Sequence, residues 1–302
     1  MLLATKYRPK TFNEVVGQDV SKKRLQNLIK SNEYSNSIFV GSSGSGKTTC
    51  AKILAQEIDG EIHELDCASH NGVADIKDIV DNARIPSLIK KVKVFVLDEC
   101  QTLSSAAWSS LLIVLEEKLP TAIFIFCTTD EQKIPKTIFS RLQRFDFVPI
   151  SEANLLKRLK FVCQQENISI ADDSLKVIAE SAEGSMRQAL TNLDTCLSYG
   201  ELDVTSVRRS LNWIGGKIFV ALSEAVHAHD SEKIISYVTA VYQKGYEMHQ
   251  FVKRFLDYCI SQNDLQLMQT LLTTIQDIRY DDNPKIIIIA RLLTFGGDGN
   301  ES

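Results

Sequence analysis

The chain has 302 residues, 44% hydrophobic and 24% charged, an ordinary globular composition that excludes a disordered or low-complexity protein. Its net charge of −4 and pI near 5.8 exclude a broadly basic nucleic-acid-binding surface, so any contact with DNA must be local. No apolar run has membrane-spanning length and no signal peptide opens the chain, so we expect a cytoplasmic protein with no membrane partner.

The first motif in chain order is a glycine-rich segment between a predicted strand, 37–40, and a helix predicted to begin near Lys47. It fits the phosphate-binding pattern Gly-x-x-x-x-Gly-Lys-Ser/Thr, in which backbone N–H groups surround phosphates, Lys47 supplies a cation and Thr48 holds Mg²⁺. The alternative is a flexible loop that joins strand to helix. The predicted nucleotide-binding residues here are Gly41, Ser42, Ser43, Gly44, Ser45, Gly46, Lys47, Thr48 and Thr49.

A second apolar run ends in two carboxylates. Residues 92–99, Val-Lys-Val-Phe-Val-Leu-Asp-Glu, predict a buried parallel strand. We expect Asp98 to bind Mg²⁺ through water and Glu99 to orient and activate the water that attacks the triphosphate. Two acids that cap the next helix are the alternative, but the phosphate-binding loop in the same chain favours the catalytic interpretation.

The pattern along the chain predicts three domains. Strand candidates at 37–40, 62–65, 92–97 and 122–127 alternate with helical patterns, so residues 1–149 predict an α/β nucleotide-binding domain. Residues 150–200 predict short helices, and residues 201–302 are again helical, with Gly200, Gly215, Gly216 and Gly245 as breakers. The apolar positions that predict the middle helices are Leu155, Leu159, Val162, Leu175, Val177, Ile178, Ala189, Leu190 and Leu193.

Seven cysteines are scattered singly through apolar contexts, and none forms a Cys-x-x-Cys pair. We therefore expect reduced, buried packing residues, with neither a disulfide framework nor zinc.

Six segments in order resemble one family: KYRPKTFNEVVGQ, GSSGSGKTT, VFVLDECQTLS, IFCTTD, IPKTIFSRLQRFDF and GSMRQAL. The set resembles the ATPase subunit of bacterial clamp loaders, the AAA+ motor of the DNA polymerase holoenzyme, and is similar to phage and eukaryotic clamp-loader subunits. The resemblance is dense over residues 4–195 and thin afterwards. It implies an α/β P-loop NTPase (AAA+) domain, a helical lid and a helical collar domain, in an assembly of like or different subunits that is expected to be pentameric.

The resemblance assigns roles to further residues. Thr128 matches the first sensor of the γ-phosphate, Arg187 matches the second sensor from the lid, and Arg141 matches the arginine finger. The residues implied to surround the adenine of ATP are Tyr7, Arg8, Pro9, Val15 and Val16. Without the resemblance, the simplest interpretation of Arg187 is a solvated charge on a helix face. The alternative for Arg141 is an ion pair with Asp146 or another acid, a role that Arg144 could equally fill.

The resemblance also implies contacts with primer–template DNA and a sliding clamp. In clamp loaders, helix starts inside a spiral of subunits follow the DNA backbone, and hydroxyl and amide donors there bind phosphate without much basic charge. The implied DNA-contacting residues are Ser69, His70, Asn71, Ser104 and Ser105. The residues implied to touch the clamp are Ile85, Pro86 and Leu88. The alternatives are helix capping for the polar set and burial in the core for the apolar set.

The implied function is ATP-driven opening of a clamp and its loading onto primer–template DNA. The chain departs from the family in several places. Residues 51–62 lack the cysteine-rich zinc module, and Leu142 replaces the cysteine of a Ser-Arg-Cys motif. Asp-Glu-Cys-Gln at 98–101 replaces the commoner acid–valine–histidine pattern but keeps both acids. A non-hydrolysing, stator-like subunit would have a damaged phosphate loop. A branch-migration helicase would have a basic winged-helix third domain, so the sequence favours neither alternative.

Overall fold

The chain divides into two compact units, Met1–Ser198 and Tyr199–Ser302. A computed structural model describes residues 1–117, 119–280 and 283–296, so the last six residues of the predicted third domain lie outside it. The predicted lid at 150–200 falls almost wholly within the first unit. Within the described residues, no helix is both long and apolar enough to cross a bilayer.

Five strands form a parallel sheet in the first unit, in the order β2-β3-β4-β1-β5. They are β1 Ser37–Gly41, β2 Gly60–Asp66, β3 Val92–Asp98, β4 Ala122–Thr128 and β5 Gln143–Phe147. The four predicted strands are confirmed. The fifth is not among the predictions, because this short edge strand buries only Phe145 and Phe147 and exposes Arg144 and Asp146 between them.

The helices of the first unit lie between and after these strands. They are α1 Leu3–Lys6, α2 Asp19–Ser31, α3 Lys47–Glu57, α4 Val73–Arg84, α5 Ser105–Glu117, α6 Lys136–Phe139, α7 Glu152–Gln165, α8 Asp172–Ser181 and α9 Met186–Tyr199, and 3₁₀ turns lie at Phe12–Glu14, Cys100–Thr102 and Glu131–Lys133. The apolar positions that predicted α7, α8 and α9 are all buried. Helices at 150–200 are therefore confirmed.

Alternate residues of each central strand pack on opposite sides of the sheet. On one side Phe39 and Ile125 join a core with residues of α2 and α3, and on the other Ile38 and Phe124 join a core with residues of α4 and α5. Because both faces are covered, the strands are apolar along most of their length. All seven cysteines are buried, as predicted.

The parallel arrangement gathers the carboxyl ends of the strands along one edge of the sheet. In register, Val40 pairs with Thr128 and Asp66 pairs with Asp98. The loop after β1, the acids after β3 and the polar end of β4 therefore lie at the same edge, where ligands bind in open α/β sheets.

The described residues of the second unit form helices joined by turns and contain no strand. Its helices are α10 Val204–Ser210, α11 Lys217–His227, α12 Ser231–Gln243, α13 Met248–Gln262, α14 Leu265–Asp277 and α15 Pro284–Leu293, with a 3₁₀ turn at Ile278–Tyr280. Stacked rings of Phe219, Phe251 and Phe255 lie in its core. The glycines predicted to break helices all lie outside these elements.

Candidate nucleotide site

At two glycines of the 41–49 loop a side chain would collide with a neighbouring segment. A Cβ at Gly41 would lie 2.1 Å from the carbonyl oxygen of Phe147. Gly44 has a φ of +73°, and a Cβ there would lie 1.9 Å from Oγ of Ser185 in the turn before α9. The backbone N–H of Met186 also donates to the carbonyl of Gly44 at 3.2 Å. The loop thus contacts both the end of β5 and the start of α9.

Lys47 and Thr48 open α3 directly after this loop. Nζ of Lys47 donates to the carbonyl oxygens of Gly41 at 2.8 Å and Ser42 at 3.0 Å. Burial lowers the pKa of the Lys47 ammonium, and the nearby carboxylates of Glu99 and Asp98 oppose that shift. Oγ1 of Thr48 donates to Oδ2 of Asp98 at 2.7 Å, which brings the loop and the acidic pair together.

The backbone of Asp98 and Glu99 is fixed from two sides. The N–H of Cys67 donates to the Asp98 carbonyl at 2.9 Å, and the N–H of Thr102 donates to the Glu99 carbonyl at 3.1 Å. Glu99 has φ 50° and ψ 41°, in the left-handed region that is uncommon for a residue other than glycine. This conformation ends β3 and begins the 3₁₀ turn Cys100–Thr102.

A cavity of about 410 Å³ lies over the loop and the acidic pair, within the range of small-ligand sites. The predicted site residues that line it are Tyr7, Arg8, Pro9, Val15, Val16, Ser43, Gly44, Ser45, Gly46, Lys47, Thr48, Thr49, Asp98, Glu99 and Arg187. Residues that the sequence did not assign to the site also line it, among them Arg158, Met186, Leu190 and Thr191. The fold therefore brings most of the predicted set into one site.

The segment around Tyr7 contacts α7 and the residue that follows it. The Tyr7 hydroxyl donates to Glu166, and this hydrogen bond is the main cause that raises the pKa of Tyr7 to about 12. Lys6 pairs with the same carboxylate at 2.6 Å, and Nη2 of Arg158 donates to the Tyr7 carbonyl at 3.0 Å. Since Arg158 is 151 residues away from Tyr7, no local pattern could have identified it.

Arg187 is the second residue of α9, is exposed, and lines the cavity beside Gly44. Its charge is among those that lower the pKa of Lys47.

Thr128 is fully buried at the end of β4 and donates to Oε1 of Gln101 at 2.8 Å. It is not among the residues that line the cavity.

Arg141 lies apart from this cavity and lines a separate concavity that also includes Tyr34 and Ser140. Its Nη2 pairs with Glu116 of α5 at 2.5 Å, and its Nη1 donates to the carbonyl of Thr137 at 2.6 Å. The carboxylate of Asp146 instead pairs with Arg144, at 2.8 Å.

The residues predicted to contact DNA lie close together and are exposed. Ser69, His70 and Asn71 precede α4, and the N–H of Ser104 donates to the carbonyl of Asn71 at 3.4 Å. Oγ of Ser104 accepts from the N–H of Ala107, which is the capping role that the sequence also allowed. The three residues predicted to contact a clamp are also exposed, so their alternative placement in the core is wrong.

The sheet order, the phosphate loop and the helices that follow define a P-loop ATPase fold of the AAA+ class. Solved structures share this fold: RuvB of Thermotoga maritima, a Holliday junction branch migration motor, superposes with a TM-score of 0.60 at 19% identity, over 74% of this chain and 80% of that one. Residues 66–151 match the family model for the DNA polymerase III delta subunit, and residues 154–202 match that for the ATPase lid domain of the DNA polymerase III clamp loader subunit.

Similar curated proteins show which AAA+ family the chain resembles. DNA polymerase III subunit tau of Bacillus subtilis is 31% identical over 83% of this chain and 50% of its own length. Subunit gamma/tau of Mycoplasma genitalium is 33% identical over 82% of this chain and 46% of its own length. The chain belongs to the family of clamp-loader AAA+ subunits, as the sequence motifs indicated. It spans about half the length of these relatives.

Proposed function

We propose that this chain is an ATP-hydrolysing clamp-loader subunit that opens a sliding clamp and loads it onto primer–template DNA. The observation that carries the proposal is the convergence of Lys47, Thr48, Asp98 and Glu99 on one cavity, which Arg187 of the lid also lines. These are the cation, the hydroxyl and the two carboxylates that phosphoryl transfer to water requires.

The Thr48 hydroxyl and the Asp98 carboxylate suit Mg²⁺, because this ion prefers oxygen ligands and these two oxygens lie 2.7 Å apart. When bound there, Mg²⁺ supplies positive charge against the phosphates of ATP. In the described residues there is no cluster of three or more His, Cys, Asp or Glu side chains suited to a metal.

Each remaining side chain has a separate task. Lys47 transfers its hydrogen bonds from the loop carbonyls to the phosphates, since a charged acceptor binds an ammonium more strongly than a neutral one. Glu99 orients the attacking water and takes its proton. Arg187 senses the γ-phosphate from the lid, whereas Thr128 is fully buried outside the cavity lining and senses it only through the residues that it contacts. The segment Tyr7–Pro9, with Val15 and Val16, surrounds the adenine.

Primer–template DNA and a clamp are the proposed macromolecular partners. Ser69, His70, Asn71, Ser104 and Ser105 offer exposed donors beside the starts of α4 and α5, and helix N-termini attract phosphate. The loop after α4 exposes Ile85, Leu88 and Ile89 by 60%, 98% and 78%, which suits an apolar contact with a clamp. Because both proposed partners act on DNA, the proposed location of the protein is the cytoplasm.

Other clamp-loader subunits complete the proposed assembly. Arg141 lies outside its own nucleotide cavity, so its guanidinium is available to a neighbouring subunit's site once Glu116 releases it. We propose that the second unit is the collar domain of a pentamer.

The non-hydrolysing, stator-like alternative has no support, because the phosphate loop, the two acids and the sensor positions all keep the side chains that ATP hydrolysis requires. A branch-migration motor is not favoured either, since likeness to RuvB at 19% identity concerns the fold alone.

The decisive experiment measures ATP turnover by the assembled loader with and without a sliding clamp and primer–template DNA. We expect slow turnover alone and maximal turnover only when both are present. Turnover that responds to neither would overturn the proposal. The same measurement on the Glu99→Gln assembly controls for contaminating ATPases.

A further inference from the structure

We propose that Gln101 is a positioning residue that holds the carboxylate of Glu99 and links it to Thr128. Through this one amide, detection of the γ-phosphate at β4 is coupled to the orientation of water at β3. The inference rests on the proposed ATPase function and adds a residue to its active site.

Both ends of the Gln101 amide are engaged. Nε2 donates to Oε2 of Glu99 at 2.5 Å and to Oγ1 of Thr129 at 2.9 Å, while Oε1 accepts from Oγ1 of Thr128 at 2.8 Å. Oγ1 of Thr129 in turn donates to Oε2 of Glu99 at 3.1 Å. A flipped amide would set its oxygen against the carboxylate, which only accepts hydrogen bonds, so chemistry selects this orientation.

The backbone turn that carries Gln101 is held in place by its neighbours. It is the middle residue of the 3₁₀ turn Cys100–Thr102, in which Cys100 is fully buried and the Thr102 hydroxyl donates to the Cys67 carbonyl at 2.6 Å. Thr128 is fully buried on the neighbouring strand. A side chain fixed at its base and hydrogen-bonded at both ends of its tip holds its partners in one geometry.

This arrangement has a consequence for Glu99. Two donors engage the same oxygen of its carboxylate, so Oε1 is the atom left to receive water, and its direction depends on how Oε2 is held. If Gln101 is removed, Thr129 alone holds Glu99, and Thr128 loses its connection to the site. Nucleotide binding involves the loop residues instead and is therefore spared.

The test compares Gln101→Leu, which removes both hydrogen bonds, with Gln101→Glu, which keeps an acceptor for Thr128 but sets a like charge against Glu99. The control is Gln132→Leu, an exposed residue of the 3₁₀ turn Glu131–Lys133. Measurements are ATP affinity, clamp- and DNA-stimulated kcat, and the melting temperature of the assembled loader. We expect both Gln101 variants to lose at least about tenfold in kcat, an effect typical of a displaced catalytic group, while ATP affinity and melting stay near the parent values.

A double-mutant cycle separates positioning from structural support. If Gln101 acts through Glu99, Gln101→Leu costs little more once Glu99→Gln is present, because residues that act as a unit are not additive. Multiplicative losses, a parent-like kcat in either variant, or equal losses of kcat and ATP affinity would each overturn the inference. Full turnover by Glu99→Gln alone would instead overturn the catalytic assignment on which the inference rests.

Discussion

At the scale of single residues, the candidate site is held together by short polar contacts, both within the local loops and between the phosphate loop and the acids at the end of β3. Lys47 contacts loop carbonyls, Thr48 contacts Asp98, and Gln101 contacts Glu99. The sequence identified Lys47 and Thr48 because they stand at fixed places in the phosphate-binding pattern, and the two acids because they end an apolar run that predicts a buried strand. It assigned no role to Gln101 or Arg158, because the contacts of Gln101 with Thr128 and Thr129 and of Arg158 with Tyr7 join segments that only the folded chain brings near.

Lys47 and Glu99 are expected to affect different steps. Lys47→Ala removes the cation that contacts phosphate, so ATP binding should be lost. Glu99→Gln keeps shape and hydrogen bonding but removes the base, so ATP should still bind while turnover falls by about 10²-fold or more. ATP affinity by calorimetry and turnover by phosphate release check both. Lys52→Ala is the control, since this lysine of α3 pairs with Glu64 outside the cavity; a Glu99→Gln enzyme with parent turnover would contradict the assignment.

At the scale of elements, the phosphate loop contacts the start of α9 closely. Gly44 combines a positive φ with a Cβ position 1.9 Å from Ser185, whereas Gly46 has a φ of +106° and no atom within 4 Å of its Cβ position. Replacing Gly46 by alanine should therefore cost backbone strain alone, about 1 kcal/mol. Replacing Gly44 should add the clash and cost about 1–2 kcal/mol more. Denaturant unfolding of both variants checks this, and equal losses would show that the contact with α9 is loose.

The loop between α4 and β3 is expected to contribute to clamp binding without contributing to the core. Leu88 is 98% exposed, so Leu88→Ser should leave the free energy of unfolding within about 0.5 kcal/mol of the parent. Clamp affinity in the presence of ATP should fall about tenfold, the effect of losing an apolar anchor. The matched control is Leu265→Ser in α14, which is 64% exposed. Equal clamp affinity for both variants would remove this loop from the interface.

At the scale of the whole molecule, the sequence predicted the kinds of elements better than their arrangement. The runs that became β1, β2, β3 and β4 are apolar because both faces of the sheet are covered, and that pattern is readable in a single sequence. The insertion of β4 between β3 and β1 is not readable, since it depends on which strands pair over long separations. The edge strand β5 lacks the apolar run because one of its faces is polar.

The last prediction is that Arg141 completes the active site of a neighbouring subunit. Its guanidinium pairs with Glu116 outside its own cavity, so Arg141→Ala should leave ATP binding by the isolated chain nearly unchanged. Clamp- and DNA-stimulated turnover should fall on the order of a thousandfold, as for arginine fingers in general. Arg144→Ala is the control, because its side chain pairs with Asp146 and Glu131 and should affect turnover little.

Mixing variants tests whether Arg141 acts between subunits. A Lys47→Ala chain cannot bind ATP but still offers its own Arg141, whereas an Arg141→Ala chain binds ATP but offers no finger. Where the first lies beside the second in the right order, one complete site is rebuilt, so a mixed assembly should recover part of the stimulated turnover that each variant lacks alone. Sedimentation confirms that the mixture assembles. A mixture that assembles but stays as inactive as either variant would show that Arg141 does not act on a neighbour's ATP.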